Sequence, residues 1–182
     1  MSAPILSTPR LMLRQWLDSD LPAFAALNAD PQVMRYFPAV LHRQESDALA
    51  ARIRHRLDTA PFGLWAMQID GVTDFAGFLG LSVPSFEASF MPCVEVGWRL
   101  ARPYWKKGYA SEGARAVLDY AFHTLNLPQI VAYTAAVNTP SITLMQRLGM
   151  HHCVSNDFAH PALPEGHPLR QHVLYRLTQA DW

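Results

Sequence analysis

The sequence predicts an α+β (mixed α/β) fold: one sheet of about six to seven strands with flanking helices. Three observations predict it. Short runs rich in β-branched and aromatic residues recur along the chain, stretches with a 3.6-residue apolar period separate them, and strands precede, separate and follow the helices. With 182 residues, half of them hydrophobic, the chain is long enough to bury roughly 70% of its unfolded surface and is expected to form a single domain, 1–182.

The elements follow in order. Leu11-Met12-Leu13-Arg14-Gln15-Trp16, after Thr8-Pro9-Arg10, reads as a first strand. Asp18-Ser19-Asp20 offers capping oxygens and Pro22 suits a first helical turn, so a helix should run to about Asn28. A second helix fits 43–59, where Leu49, Ile53 and Leu57 recur every four residues and Arg52, Arg54 and Arg56 fall mostly toward water. The runs 62–69 and 75–83, joined by a turn at Asp70-Gly71, read as an antiparallel pair. In the next strand, 93–100, Val94, Val96, Trp98 and Leu100 share one face and Cys93, Glu95, Gly97 and Arg99 the other. A helix over 109–125 carries Ala114, Val117, Leu118, Ala121, Phe122 and Leu125 on one stripe and is closed by Pro128. Gln129 to Ala135 is a strand, a helix runs from Pro140 to Leu148 and stops at Gly149, a loop-rich tail spans His151 to His167, and Val173 to Leu177 is the last strand.

Composition narrows the function. Fifteen basic residues balance fifteen acidic ones, which argues against broad electrostatic binding of nucleic acid or an anionic membrane. Cys93 and Cys153 are too few and too isolated for a disulfide framework or a four-ligand zinc site, and the histidines of the tail, His151, His152, His160, His167 and His172, match no closed zinc spacing, so no metal is expected. No leader-like segment or long apolar run appears, which reads as a cytoplasmic protein. The only two lysines, Lys106 and Lys107, are adjacent. Arginine-favouring codon bias accounts for their scarcity, though not for their place.

That place is the stretch Trp105-Lys106-Lys107-Gly108-Tyr109-Ala110-Ser111-Glu112, between a strand and a long helix. A strand-to-helix turn points free backbone N–H groups one way, and the helix dipole adds partial positive charge. Two readings stand: a site for a polyanion, or an ordinary turn with solvated lysines.

The turn resembles the pyrophosphate-binding signature of the GCN5-related N-acetyltransferases, Arg/Gln-x-x-Gly-x-Gly/Ala, with Trp105, Gly108 and Ala110 at the first, fourth and sixth positions. Trp at the first position is similar to the branch that includes ribosomal-protein N-terminal acetyltransferases. The run from Asn138 to Met150 is similar to the family's second motif, Asn-x-x-Ser/Ala, then a helix and Leu-Gly-Phe/Met; Thr8 to Arg14 looks like its first strand.

The resemblance implies a strongly twisted mixed sheet whose strands 93–100 and 129–135 splay apart around acetyl-coenzyme A, the co-substrate. It places Trp98 and Leu100 beside the cofactor, with the Leu100 N–H toward the thioester carbonyl. Lys106, Lys107, Gly108, Tyr109, Ala110 and Ser111 would cradle the pyrophosphate, and Asn138 would contact the pantetheine arm or order water there. Arg147 either reaches a phosphate or is solvated. Tyr36, Phe37, Phe86 and Phe90 lie where the family builds its acceptor wall, and ordinary core packing is the competing reading. Apart from the resemblance, the loop from Asp157 to Pro168 reads as a substrate-side loop in which His160 or His167 would touch the acceptor.

Two positions depart from the pattern. Lys106 stands where this branch usually has glycine, and Met145 where many members carry a tyrosine that protonates the departing thiolate. A thioether cannot donate a proton, so Ser141, Tyr175 or water would serve, or no acid at all. Glu95 is the candidate base for the acceptor ammonium; the competing reading pairs it with Arg99 or leaves it solvated. The expectation is therefore N-acetyl transfer from acetyl-coenzyme A to a primary amine, on a protein N-terminus or a small molecule, by direct transfer in a ternary complex. The alternative is a non-catalytic acyl-coenzyme A-binding module. A homodimer is compatible with the sequence, which does not require one.

Overall fold

A computed structural model describes residues 2–152 and 154–182, so Cys153 lies outside the described residues. One open mixed sheet runs through it in the order β1-β2-β3-β4-β5-β6-β9-β7, with β8 paired to β9. The strands are β1 (Leu6–Ser7), β2 (Leu11–Arg14), β3 (Leu64–Ile69), β4 (Thr73–Ser82), β5 (Glu95–Leu100), β6 (Gln129–Ala135), β7 (His151–His152), β8 (Phe158–Ala159) and β9 (Gln171–Thr178), and the α-helices are α1 (Leu21–Ala29), α2 (Arg43–Thr59), α3 (Tyr109–Asp119) and α4 (Thr139–Arg147). Nine strands stand against the expected six to seven; β1, β7 and β8 have two residues each, too short to leave a periodic signal.

Adjacent residues of β4 settle the layering, because successive side chains on a strand point to opposite faces. Phe78 meets Phe24 of α1 edge-on, ring centroids 5.8 Å apart. On the other face Leu79 lies against Gly113 of α3, where a β-carbon would collide with the Leu79 side chain. The α1 side and the α3 side thus sandwich the sheet, and Trp65, Phe24 and Phe122 fill the core with no measurable exposure.

Local physics moved several boundaries. The first strand ends at Arg14, not Trp16, because the Arg14 guanidinium turns inward to pair with Asp20 (2.8 Å), both almost fully buried. Asp20 does not cap α1; its carboxylate accepts the Leu17 N–H (2.8 Å) inside a 3-10 turn at Asp18–Asp20. The fourth long strand begins at Glu95, two residues later than expected, although the Val94 carbonyl still accepts the Val131 N–H at 2.9 Å. The helix expected over 109–125 is α-helical to Asp119 and winds as a π-turn over Tyr120–Thr124, which keeps its apolar stripe buried. No described helix is long and apolar enough to cross a membrane.

Candidate functional site

The sheet is forked in its middle. β5 pairs with β4 in antiparallel register along its whole length, from Glu95 opposite Ser82 to Leu100 opposite Gly77. With β6 it pairs in parallel at one position only, Glu95 opposite Val131. Beyond that point the two strands diverge, and each runs into a helix N-terminus, α3 after β5 and α4 after β6. The expected splay of the strands 93–100 and 129–135 is present.

The register also assigns the backbone of β5. Ala101 N–H bonds the Ala76 carbonyl (2.9 Å), and antiparallel pairs alternate, so residues 95, 97 and 99 bond across to β4. Residues 96, 98 and 100 therefore turn their backbone groups toward the gap. The Leu100 carbonyl is taken up by the Trp105 indole N–H (2.7 Å). Its own N–H points into the fork. Trp105 at the first position of the turn thereby fastens the turn to the end of the strand.

The turn has the shape of an anion cradle. Lys106 (φ 59°) and Gly108 (φ 85°) are both left-handed, which swings successive N–H groups to one side ahead of the unpaired N–H groups in the first turn of α3. The left-handed φ at Lys106 explains why glycine suits that position. Tyr109, Ala110 and Ser111 open the helix and are half-buried, while both lysines are exposed. Among the described residues no carboxylate lies within 4 Å of either ammonium.

Sequence reasoning missed the residue that holds this turn. Arg10 donates to Glu112 (2.6 Å) and to the Lys107 carbonyl (3.1 Å), and its guanidinium sits 4.7 Å above the Tyr109 ring. Burial would raise the Glu112 pKa, but hydrogen bonds from Thr8 and Arg10 outweigh it and hold the carboxyl below its ordinary value. Glu112 is thus a tether to the N-terminal segment, beyond the helix-dipole role its position suggests. About a hundred residues separate the partners, and no local pattern could join them.

Across the fork, Asn138 caps α4 by accepting the Ser141 N–H (3.4 Å) and donates to Thr134 Oγ1 (2.8 Å) and Ser141 Oγ (3.1 Å). The Trp98 indole reaches over from β5 and donates to the same hydroxyl at 3.3 Å. Ser141 Oγ accepts twice, so its own proton is free to be donated. The other acid candidate, Tyr175, is buried under the His152 ring, and its hydroxyl accepts from Gln146. Met145 is sealed in the core at 1% exposure and Arg147 is exposed at the far end of α4.

Glu95 stands where the fork closes. Ser82 Oγ donates to its carboxylate at 3.1 Å, and the Tyr133 hydroxyl from β6 also donates to it. Burial lifts its pKa from an ordinary value near 4.5 to about 7, a rise those hydrogen bonds moderate. The same burial, with the carboxylate alongside, pushes the Tyr133 phenol up. Glu95 does not pair with Arg99, which donates instead to Asn28 Oδ1 (2.6 Å). The competing reading of a Glu95–Arg99 pair is not met, because residues four apart on a strand lie about 13 Å apart.

Aromatic rings line the Tyr133 side. Phe86 packs on Tyr133 (5.6 Å) and on His160 (4.8 Å), and Phe90 packs on Phe158 (4.9 Å). His160 therefore joins this wall, and burial lowers its pKa. His167 instead serves its own turn by accepting the Leu169 N–H (3.1 Å). Phe37 lies over Arg99, ring centroid to Cζ 4.0 Å, while Tyr36 lies under Arg35.

A mixed sheet forked between parallel strands, with a helix N-terminus beyond each, is the layout of an acyltransferase. Residues 10–151 match the acetyltransferase (GNAT) domain family, and the chain belongs to it. A Bacillus subtilis relative, the uncharacterized N-acetyltransferase YnaD, is 29% identical over 97% of this chain and 98% of its own length. An FsC-acetyl coenzyme A-N(2)-transacetylase of Aspergillus fumigatus is 30% identical over 98% of this chain and 78% of its own length. Among solved structures, an acetyltransferase of the GNAT family from Bacillus anthracis superposes with a TM-score of 0.78 at 24% identity, over 97% of this chain and 99% of that one. The protein is an acyltransferase enzyme, and the family's co-substrate is acetyl-coenzyme A.

Proposed function

We propose that the protein transfers the acetyl group of acetyl-coenzyme A to a primary amine by direct attack within a ternary complex. The observation that carries this reading is the position of Glu95, a carboxyl with a pKa of about 7 at the fork. A base acts best when its pKa lies near the working pH. Glu95 takes the proton of the acceptor ammonium, directly or through water. The free amine attacks the thioester carbonyl carbon, the C–N bond forms, and the Leu100 N–H steadies the oxyanion. The C–S bond then breaks, the nitrogen gives up its second proton to water, and the thiolate, hydrogen-bonded by Ser141, takes a proton from water to leave as coenzyme A. The turn at 106–111, with Lys106 and Lys107, holds the pyrophosphate, and Trp98 and Asn138 line the path between.

The acceptor is a small amine or a protein N-terminus. The Trp105-to-Ala110 run, similar to that of ribosomal-protein N-terminal acetyltransferases, supports the second. Thiol release from acetyl-coenzyme A is the test, measured over small amines, N-terminal peptides and ribosomal extract with mass-spectrometric identification of products. Acetylated product that falls at least a hundredfold in Glu95→Gln, with acetyl-coenzyme A affinity retained, is the expected result. Binding without turnover of any amine would replace the enzyme reading by that of an acyl-coenzyme A-binding module, and unchanged turnover in the variant would remove Glu95 from the mechanism.

A further inference from the structure

Arg99 is a cation without an anion. A guanidinium carries five N–H donors, and the structure commits one of them, Nη1, to the neutral Asn28 Oδ1 at 2.6 Å. Asn28 is itself fully buried and donates onward to the buried Ser46 hydroxyl (2.9 Å), so neither brings compensating charge. The Arg99 Nε–H is enclosed and has no hydrogen-bond partner. Among the described residues no carboxylate lies within 4 Å of it. Phe37 and Phe78 flank the guanidinium, ring centroids 4.0 and 5.2 Å from Cζ, and strip water from it without neutralising it. Burial alone lowers its pKa to about 10.

Keeping an unpaired cation in such a place opposes folding. The buried Arg14 shows how the chain handles this cost elsewhere: it has Asp20 at 2.8 Å. Arg99 lacks any such partner and yet is only half-buried, so it stays reachable from solvent.

Its position on β5 points the same way. Arg99, Gly97 and Glu95 fall on one face of the strand, and the residue between the two charged ones has no side chain. A β-carbon at Gly97 would meet nothing nearer than Glu95 Oε1 at 3.7 Å. The strand therefore presents a carboxyl, an open floor and a guanidinium in line, the two ends about 13 Å apart at their α-carbons.

Resting on the reading of Glu95 as the base for the acceptor amine, we propose that Arg99 binds a carboxylate on the acceptor itself, so that the acceptor is an amine carrying its own carboxylate, lying along β5. The planar fork of arginine suits a carboxylate through two parallel hydrogen bonds. The carboxylate belongs to a small amino acid or to an acidic side chain near a peptide N-terminus.

The experiment pairs each probe with its carboxamide: γ-aminobutyrate, ε-aminocaproate, glycylglycine, and an amidated Ala-Asp peptide against amidated Ala-Asn. Calorimetric binding in the presence of coenzyme A and kcat/KM for acetylation are both measured, in the parent protein and in Arg99→Gln and Arg99→Lys. At least one carboxylate should surpass its carboxamide tenfold or more in both readouts, mainly through KM. Arg99→Gln should abolish that ratio and Arg99→Lys should restore part of it, with the melting temperature reporting that each variant is folded. The small amino acids and the Ala-Asp peptide separate the two sources of the carboxylate. Equal use of carboxylates and carboxamides, or a ratio that persists in Arg99→Gln, overturns the proposal and leaves N-acetyl transfer standing. Carboxylate binding that depends on Arg99 without turnover upholds the proposal and overturns the catalytic reading instead.

Discussion

Replacing Glu95 by glutamine should stabilise the protein while disabling it, and the size of the effect follows from the site. In the unfolded chain the carboxyl titrates near 4.5; in the fold, burial raises it to about 7. The native state thus holds that proton more tightly than the unfolded state. At about 1.4 kcal/mol per tenfold in proton affinity, the ionised carboxylate costs the native state about 3 kcal/mol above pH ~7. The cost shrinks as pH falls through about 7 and is gone below about 4.5, where both states are protonated. Glutamine keeps an oxygen to accept from Ser82 and Tyr133 and carries no charge. Glu95→Gln should therefore gain about 3 kcal/mol near pH 8, or roughly 6–12 °C in melting temperature for a chain of this size, and nothing near pH 4.5. Urea unfolding across that interval, with equal slopes for both proteins, measures the difference. A gain that does not vary with pH, or a loss near pH 8, would refute the burial argument. In the same proteins kcat/KM should rise with pH to a plateau above about 7 for the parent, and the variant should lose that limb.

Other consequences are local. Lys106 keeps a left-handed φ of 59°, which costs a residue with a β-carbon about 1 kcal/mol, so Lys106→Gly should raise the melting temperature by a few degrees; no change would mean the turn relaxes freely. Replacing both Lys106 and Lys107 by alanine should weaken coenzyme A binding at low salt and much less at high salt, read by calorimetry at two ionic strengths; unaltered affinity would make the pair a coincidence of place. Asn138→Ala removes the α4 cap and the bonds to Thr134 and Ser141, and should cost about 1–2 kcal/mol in denaturant unfolding, together with a loss of turnover larger than the loss of stability explains.

How much of this was legible beforehand depended on range. The apolar stripe of α3, the alternation of β5 and the span of β6 are local patterns, and each reappears within a residue or two of its expected place. Features set by distant contacts were not legible. Nothing near Arg14 foretells that Asp20 will draw it inward and end the strand, and nothing near Arg10 foretells that it will fasten a turn beyond Lys107. Glu95 could be singled out by its place on a strand, but Ser82 and Tyr133, which surround it, come from other strands and follow only from register. The absence of a Glu95–Arg99 pair could have been read directly, since the strand itself sets those two side chains too far apart.

That same spacing makes β5 the partition of the site. Its even-numbered residues send their backbone groups into the fork, because the odd-numbered ones spend theirs on β4. The side chains of Glu95 and Arg99 meanwhile occupy the face toward α1 and Phe37, opposite the face of Trp98 and α3. A single extended strand can therefore meet a donor with its backbone and an acceptor with its side chains, and the two need not compete for the same groups. The shared point is Glu95, on the face proposed for the acceptor, at the one position where β5 still pairs with β6. A base elsewhere on β5 would stand away from either the fork or the acceptor. On this reading the single point of pairing between β5 and β6 sets where the proton leaves the amine, and a register shift of one residue there would leave Glu95 in place, held by β4, but turn Tyr133 to the other face and away from the carboxylate.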